Sequence, residues 1–132
     1  MDSQALPAGY KLHWYEIQRV LGKGGFGITY LAFDSNLAQQ VAIKEYFPGQ
    51  LAARDQTRVS AISENHQEDY AWGLSRFVSE AQTLAQFRHP AIVPVYTTFS
   101  ENLTAYMVME YITGESCGDV FRHGKYMSED WL

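Results

Sequence analysis

The sequence is poor in several features that would narrow its class. It has one cysteine, Cys117, in 132 residues, so no disulfide can form within the chain, which fits a reducing compartment. Basic residues do not predominate: ten Lys and Arg stand against fifteen Asp and Glu, giving a net charge of −5. That balance argues against a nucleic-acid partner, which usually meets a basic face. No apolar run approaches the roughly 18 residues of a membrane span. The N-terminus, MDSQALPAGYKLHWY, lacks the apolar core of a signal peptide. The expected location is therefore cytoplasmic, with no membrane contact in this segment. The histidines, His13, His66, His89 and His123, are scattered without ligand spacing, and no metal site is expected. There is no internal repeat and no low-complexity segment. What the chain does have is 46% hydrophobic and 14% aromatic residues, enough to bury a core as one domain or one lobe of a larger one.

The most specific stretch is LGKGGFGITY at 21–30, where Gly22, Gly24 and Gly27 form G-x-G-x-x-G with Gly25 as an extra glycine. Glycine tolerates positive φ and lets backbone N–H groups approach an anion closely. Alone, the loop fits a ligand-free hairpin as well as it fits a phosphate cradle. A dinucleotide fingerprint would need the loop to open a helix. Here Ile28, Thr29, Tyr30, Leu31, Ala32 and Phe33 follow, and β-branched and aromatic residues favour a strand. Residues 15–21 read as a strand too. Strand–loop–strand counts against dinucleotide binding, which stays only as a remote reading. No G-x-x-x-x-G-K-[ST] occurs. The remaining known use of such a loop is a hairpin lid over a nucleoside triphosphate.

The next predicted strand covers 40–47. Alternation puts Ala42 and Lys44 on one face and Val41 and Ile43 on the other. Ala42 leaves room for a flat base and Lys44 supplies a point charge, although an isolated lysine is more often a plain surface residue. A helix pattern follows over about 70–87, with Phe77, Ala81 and Leu84 on one face. Glu80 points with that face, where a carboxylate is costly unless paired. Lys44 is one candidate partner and Arg76, four residues earlier, is the other; spacing leaves both open. Pro90 ends the helix at RHP, with His89 packing or capping there. Strands are expected over 93–100 and 103–111, joined by a turn at 100–102. A short helical piece is expected over 116–122, and 128–130 reads as the start of another helix.

Taken in order, LGKGGFGITY, VAIK at 41–44, the EA at 80–81, HPAIV at 89–93 and YMVMEYITG at 106–114 resemble the small lobe of the protein kinases, with bacterial-type serine/threonine wording in GGFGITY. The resemblance spans nearly everything after Tyr15. It implies an α+β fold: a five-stranded antiparallel sheet, one main helix, and the start of the large-lobe helices. Residues 1–14 would be an N-terminal extension, 15–112 the lobe, and 113–132 the hinge exit and truncated start of the second lobe.

It also implies roles. Gly22, Gly24, Gly25 and Gly27, with Phe26 at the tip, would cover the ATP phosphates. Leu21 and Ala42 would sandwich the adenine, with Thr29 beside it where the family usually has valine. Lys44 would hold the α- and β-phosphates and Glu80 would orient it. Met109 falls at the gatekeeper position, Glu110 and Ile112 would offer backbone groups to the adenine, and Glu115 or Ser116 would approach the ribose. Cys117 reads as a small buried residue rather than a reactive thiol. Residues 48–69, long and polar, are expected to be a mobile connection rather than a docking element.

No H-R-D and no D-F-G occurs in the sequence, so the catalytic base and the Mg²⁺ ligands are expected only with the missing lobe. The chain alone is expected to bind ATP weakly and to transfer nothing to a protein substrate. The competing reading is a non-catalytic nucleotide-binding or interaction module that self-associates through a bare cleft face at Ala42, Met109 and the underside of the Glu80 helix.

Overall fold

Strand-forming residues dominate the segments on either side of the glycine loop, and burial follows them. The computed structural model describes residues 4–86 and 93–111. Six strands form one antiparallel sheet in the order β1-β2-β3-β4-β8-β7. They are β1 (Lys11–Leu12), β2 (Tyr15–Lys23), β3 (Gly27–Asp34), β4 (Gln39–Tyr46), β7 (Val95–Glu101) and β8 (Thr104–Glu110). A separate hairpin, β5 (Ala52–Asp55) with β6 (Arg58–Ala61), leads through a 3₁₀ turn at Glu64–His66 into helix α1 (Gln67–Ala85).

Three expectations need correction. The sheet has six strands rather than five, because residues read as an extension add β1 at its edge. Leu6 and Leu12 are buried, and burying them carries the segment onto the sheet. Residues 48–69 hold β5, β6 and the start of α1 instead of a mobile connection. Ala52 and Val59 are buried, and the Val59 N–H donates to Asn102 O at 2.8 Å. Helix α1 begins at Gln67 rather than residue 70, with Glu68 and Asp69 in its first turn, where carboxylates suit the helix dipole. The expected RHP turn, the helical pieces beyond 112, Ile112, Glu115, Ser116 and Cys117 lie outside the described residues.

The β7–β8 turn falls at Asn102 and Leu103, both at positive φ (58° and 63°), as in a type I′ hairpin. Leucine is ill suited to that conformation. Contacts around the turn offset the strain: the Asn102 amide donates to Tyr106 Oη at 2.9 Å, and Tyr70 Oη donates to Leu103 O at 2.8 Å.

Directly opposed residues share a face, so the register divides the sheet in two. Thr29, Lys44 and Met107 are opposed, as are Leu31, Ala42 and Met109. On the other face Glu45 is opposed to Ile28 and Tyr106, and Ile43 to Tyr30 and Val108. Helix α1 packs on the Lys44 face through Tyr46, whose hydroxyl donates to Tyr70 O at 2.9 Å. Its ring lies 5.3 Å from that of Tyr70 and 5.7 Å from that of Phe77. Gly73 sits where they cross: a Cβ there would strike the Tyr46 hydroxyl, which accounts for a glycine in mid-helix despite its poor propensity.

Candidate functional site

The glycine loop joins β2 to β3, and its position is set by backbone bonds to the residues just after β4. The Phe47 N–H donates to Phe26 O at 3.0 Å and the Gly49 N–H to Gly25 O at 3.2 Å. Within the loop the Gly24 N–H donates to Gly27 O at 2.9 Å. Among the described glycines only Gly9 has positive φ (89°), so the loop glycines are not there for a left-handed turn. Gly27 is there for closeness. A Cβ on it would lie 2.7 Å from Lys44 Cε and 2.7 Å from Glu45 O. By contrast, Gly22 and Gly25 have open space around them. The loop is thus laid directly on the Lys44 side chain, with Phe26 half exposed at its tip.

Lys44 is 5% exposed, on a face otherwise supplied by Thr29, Leu31, Ala42, Met107 and Met109. A cation beside small and apolar side chains can attract phosphate while admitting a flat ring. Met109 is opposed to Ala42, so these two expected site residues are neighbours. Leu21 is partly buried against the core. The Glu110 N–H donates to Pro94 O at 3.0 Å.

Glu80 is not brought to Lys44 in this structure. Its carboxylate accepts from Arg76 Nε at 3.1 Å, one turn back along α1. The Arg76 guanidinium in turn lies over Trp72, 5.4 Å from the ring centroid. The local partner left open by spacing is the one formed here.

A cavity of about 220 Å³ opens between the loop tip and α1, walled by Phe26, Tyr46, Pro48, Trp72 and Phe77. Among the described residues no group of three His, Cys, Asp or Glu side chains could hold a metal ion.

Sequence reasoning missed the polar cluster behind the site. Glu45, fully buried, accepts from Tyr30 Oη at 2.8 Å, Tyr106 Oη at 2.6 Å and Arg54 Nη1 at 2.9 Å. Burial pushes both tyrosine hydroxyls far up and the Glu45 charge adds to this, so they remain neutral donors. The signal was present: the alternation that placed Lys44 on one face placed Glu45 with Val41 and Ile43 on the other. A carboxylate there needs a cation, and Arg54 is the next one along the chain.

The protein kinase domain family matches residues 15–132. The chain is 31% identical over 129 residues to the serine/threonine-protein kinase PknD of Protochlamydia amoebophila, covering 98% of this chain and 11% of that protein. It is 35% identical over 115 residues to a probable serine/threonine-protein kinase, SCO3848, of Streptomyces coelicolor, covering 84% of this chain and 15% of the relative. A solved structure, "PpkA-294 apo form", superposes with a TM-score of 0.82 at 37% identity, covering 98% of this chain and 47% of that one. The chain therefore spans less than half the length of each of these proteins. It belongs to the protein kinase family, and its described residues form the small, glycine-loop-bearing lobe of a bacterial-type serine/threonine kinase domain.

Proposed function

We propose that this chain is the ATP-binding lobe of a serine/threonine protein kinase. Gly22, Gly24, Gly25 and Gly27 cover the phosphates, and Lys44 neutralises the α- and β-phosphates. Leu21 and Ala42 hold the adenine between them, Thr29 flanks it, and Met109 closes the slot. The Glu110 carbonyl and Ile112 meet the adenine edge. Glu80 orients Lys44 once it leaves Arg76. The observation that carries the reading is the contact of Gly27 with Lys44, which makes lid and cation one site: a side chain on Gly27 would meet Lys44 Cε at 2.7 Å.

Transfer to a protein hydroxyl needs a base and Mg²⁺ ligands of the H-R-D and D-F-G kind, and neither motif occurs in the sequence. The chain alone is expected to bind ATP more weakly than about 1 μM and to show no γ-phosphate transfer. No helix among the described residues is long and apolar enough to cross a membrane; a cytoplasmic site of action, where ATP is available, belongs to the same proposal. Self-association through a bare cleft face finds no support at Ala42 and Met109, which are 0% and 1% exposed.

Calorimetric titration with ATP tests this. Wild type is expected to give a saturable signal that Lys44→Met removes without changing the far-UV circular dichroism. Equal affinity in both would overturn the reading.

A further inference from the structure

Glu45 and Arg54 take no part in the nucleotide site, yet their side chains are only 0% and 4% exposed. The pair is bidentate: Arg54 Nη2 meets Glu45 Oε1 at 2.5 Å and Nη1 meets Oε2 at 2.9 Å. Arg54 also donates to Gln4 O at 2.7 Å and Thr57 O at 3.0 Å, and its Cζ lies 5.1 Å from the Phe47 ring centroid. Burial alone would lower the guanidinium's proton affinity, but hydrogen bonds to Glu45 and its charge outweigh that and raise it.

The place of this pair gives it consequence. Glu45 follows Lys44 on β4, and its two tyrosine donors stand on the flanking strands, Tyr30 on β3 and Tyr106 on β8. The carboxylate therefore fastens three strands together at the level of Lys44. Arg54 fastens the β5–β6 hairpin to the same point. The connection from β4 to that hairpin, whose Phe47 ring lies against the Arg54 guanidinium, carries the Phe47 and Gly49 N–H groups that hold the carbonyls of Phe26 and Gly25. One side chain thus ties down both the strand bearing Lys44 and the backbone on which the glycine loop rests.

We propose that Arg54, acting through Glu45 and the 47–49 backbone, is a positioning residue that sets the height of the glycine loop over Lys44, so that the β5–β6 hairpin tunes nucleotide binding. The consequence for nucleotide rests on the ATP reading above; the control of loop position does not.

Paired replacement, Glu45→Gln with Arg54→Met, removes both charges at similar volume and leaves no lone buried charge. Amide hydrogen exchange and ATP titration are compared in the 132-residue chain. Faster exchange is expected at Gly24, Phe47 and Gly49, by about tenfold, with α1 and the β7–β8 pair nearly unchanged. The ATP dissociation constant is expected to rise about fivefold or more. Arg54→Lys, which keeps the charge but loses the fork, is expected to fall between; it is read on the same amides if the paired variant does not fold. Unchanged loop amides would overturn the proposal. So would equal loosening of the whole sheet, which marks a merely structural role, or local loosening with unaltered ATP affinity. If wild type and Lys44→Met titrate alike, the ATP reading fails, and the three amides still decide whether Arg54 governs the loop.

Discussion

Lys44 and Glu45 are adjacent in sequence and face opposite sides of one sheet. On the Glu45 side the charge is closed in: a guanidinium and two tyrosine hydroxyls occupy the carboxylate oxygens. On the Lys44 side the charge is closed over by a hairpin loop, laid so near that only glycine fits. The outer face is built to stay shut, since buried polar groups are stable only when fully satisfied. The inner face is covered by an element that meets it through backbone alone, because the loop adds no side chain at its closest point. Two neighbouring charges thus mark which face is scaffold and which is site.

The largest way to break this contrast is Arg54→Met alone, which leaves the Glu45 charge enclosed without its cation. It is expected to cost about 3–5 kcal/mol in urea denaturation, whereas paired loss with Glu45→Gln should cost far less. Gly27→Ala tests the inner face: the new methyl must displace Lys44 or the Glu45 carbonyl, at about 1–3 kcal/mol. Gly25→Ala, with open space around it, is expected to stay within about 0.5 kcal/mol.

Alkaline pH sharpens the outer face again. Tyr30 and Tyr106 titrate higher when folded than when unfolded, so their contribution is intact below the unfolded value near 10 and is lost as pH rises above it. A thermal melt series is expected to fall above about pH 10, at up to roughly 1.4 kcal/mol per pH unit for each tyrosine. Tyr30→Phe should flatten that slope. Arg76→Ala is the smallest test. It removes the 3.1 Å bond to Glu80 at a cost of about 0.3–0.5 kcal/mol, and ATP affinity is expected to rise slightly as Glu80 is freed for Lys44.

The strands and the main helix were legible because each rests on local pattern: alternation around Ala42 and Lys44, helical spacing of Phe77 and Ala81, and strand-like runs on either side of the glycines; the pairing of the glycine loop with Lys44 came only with the family resemblance. What could not be read depends on partners distant in sequence or on competition between partners. Composition made 48–69 look like loose connection, since the sign that Arg54 would be drawn inside lay outside that segment, in the place of Glu45 on the apolar face of its strand. Spacing left Glu80 with two cations, and the nearer one along the helix took it. The sixth strand was hidden because Lys11–Leu12 is too short to show a period; only the burial of Leu6 and Leu12 reveals why that segment stays on the sheet.

The enclosed carboxylate also bears on the order in which the chain can fold. Arg54 lies nine residues from Glu45, whereas Tyr106 lies 61 away. Closing the longer loop costs about 1.7 kcal/mol more in chain entropy. Tyr30 precedes Glu45, so during synthesis the cation and the first tyrosine are available before α1 and β8 have been made. The charge can be neutralised by its own neighbourhood, and β8 then docks onto a partner that is already settled.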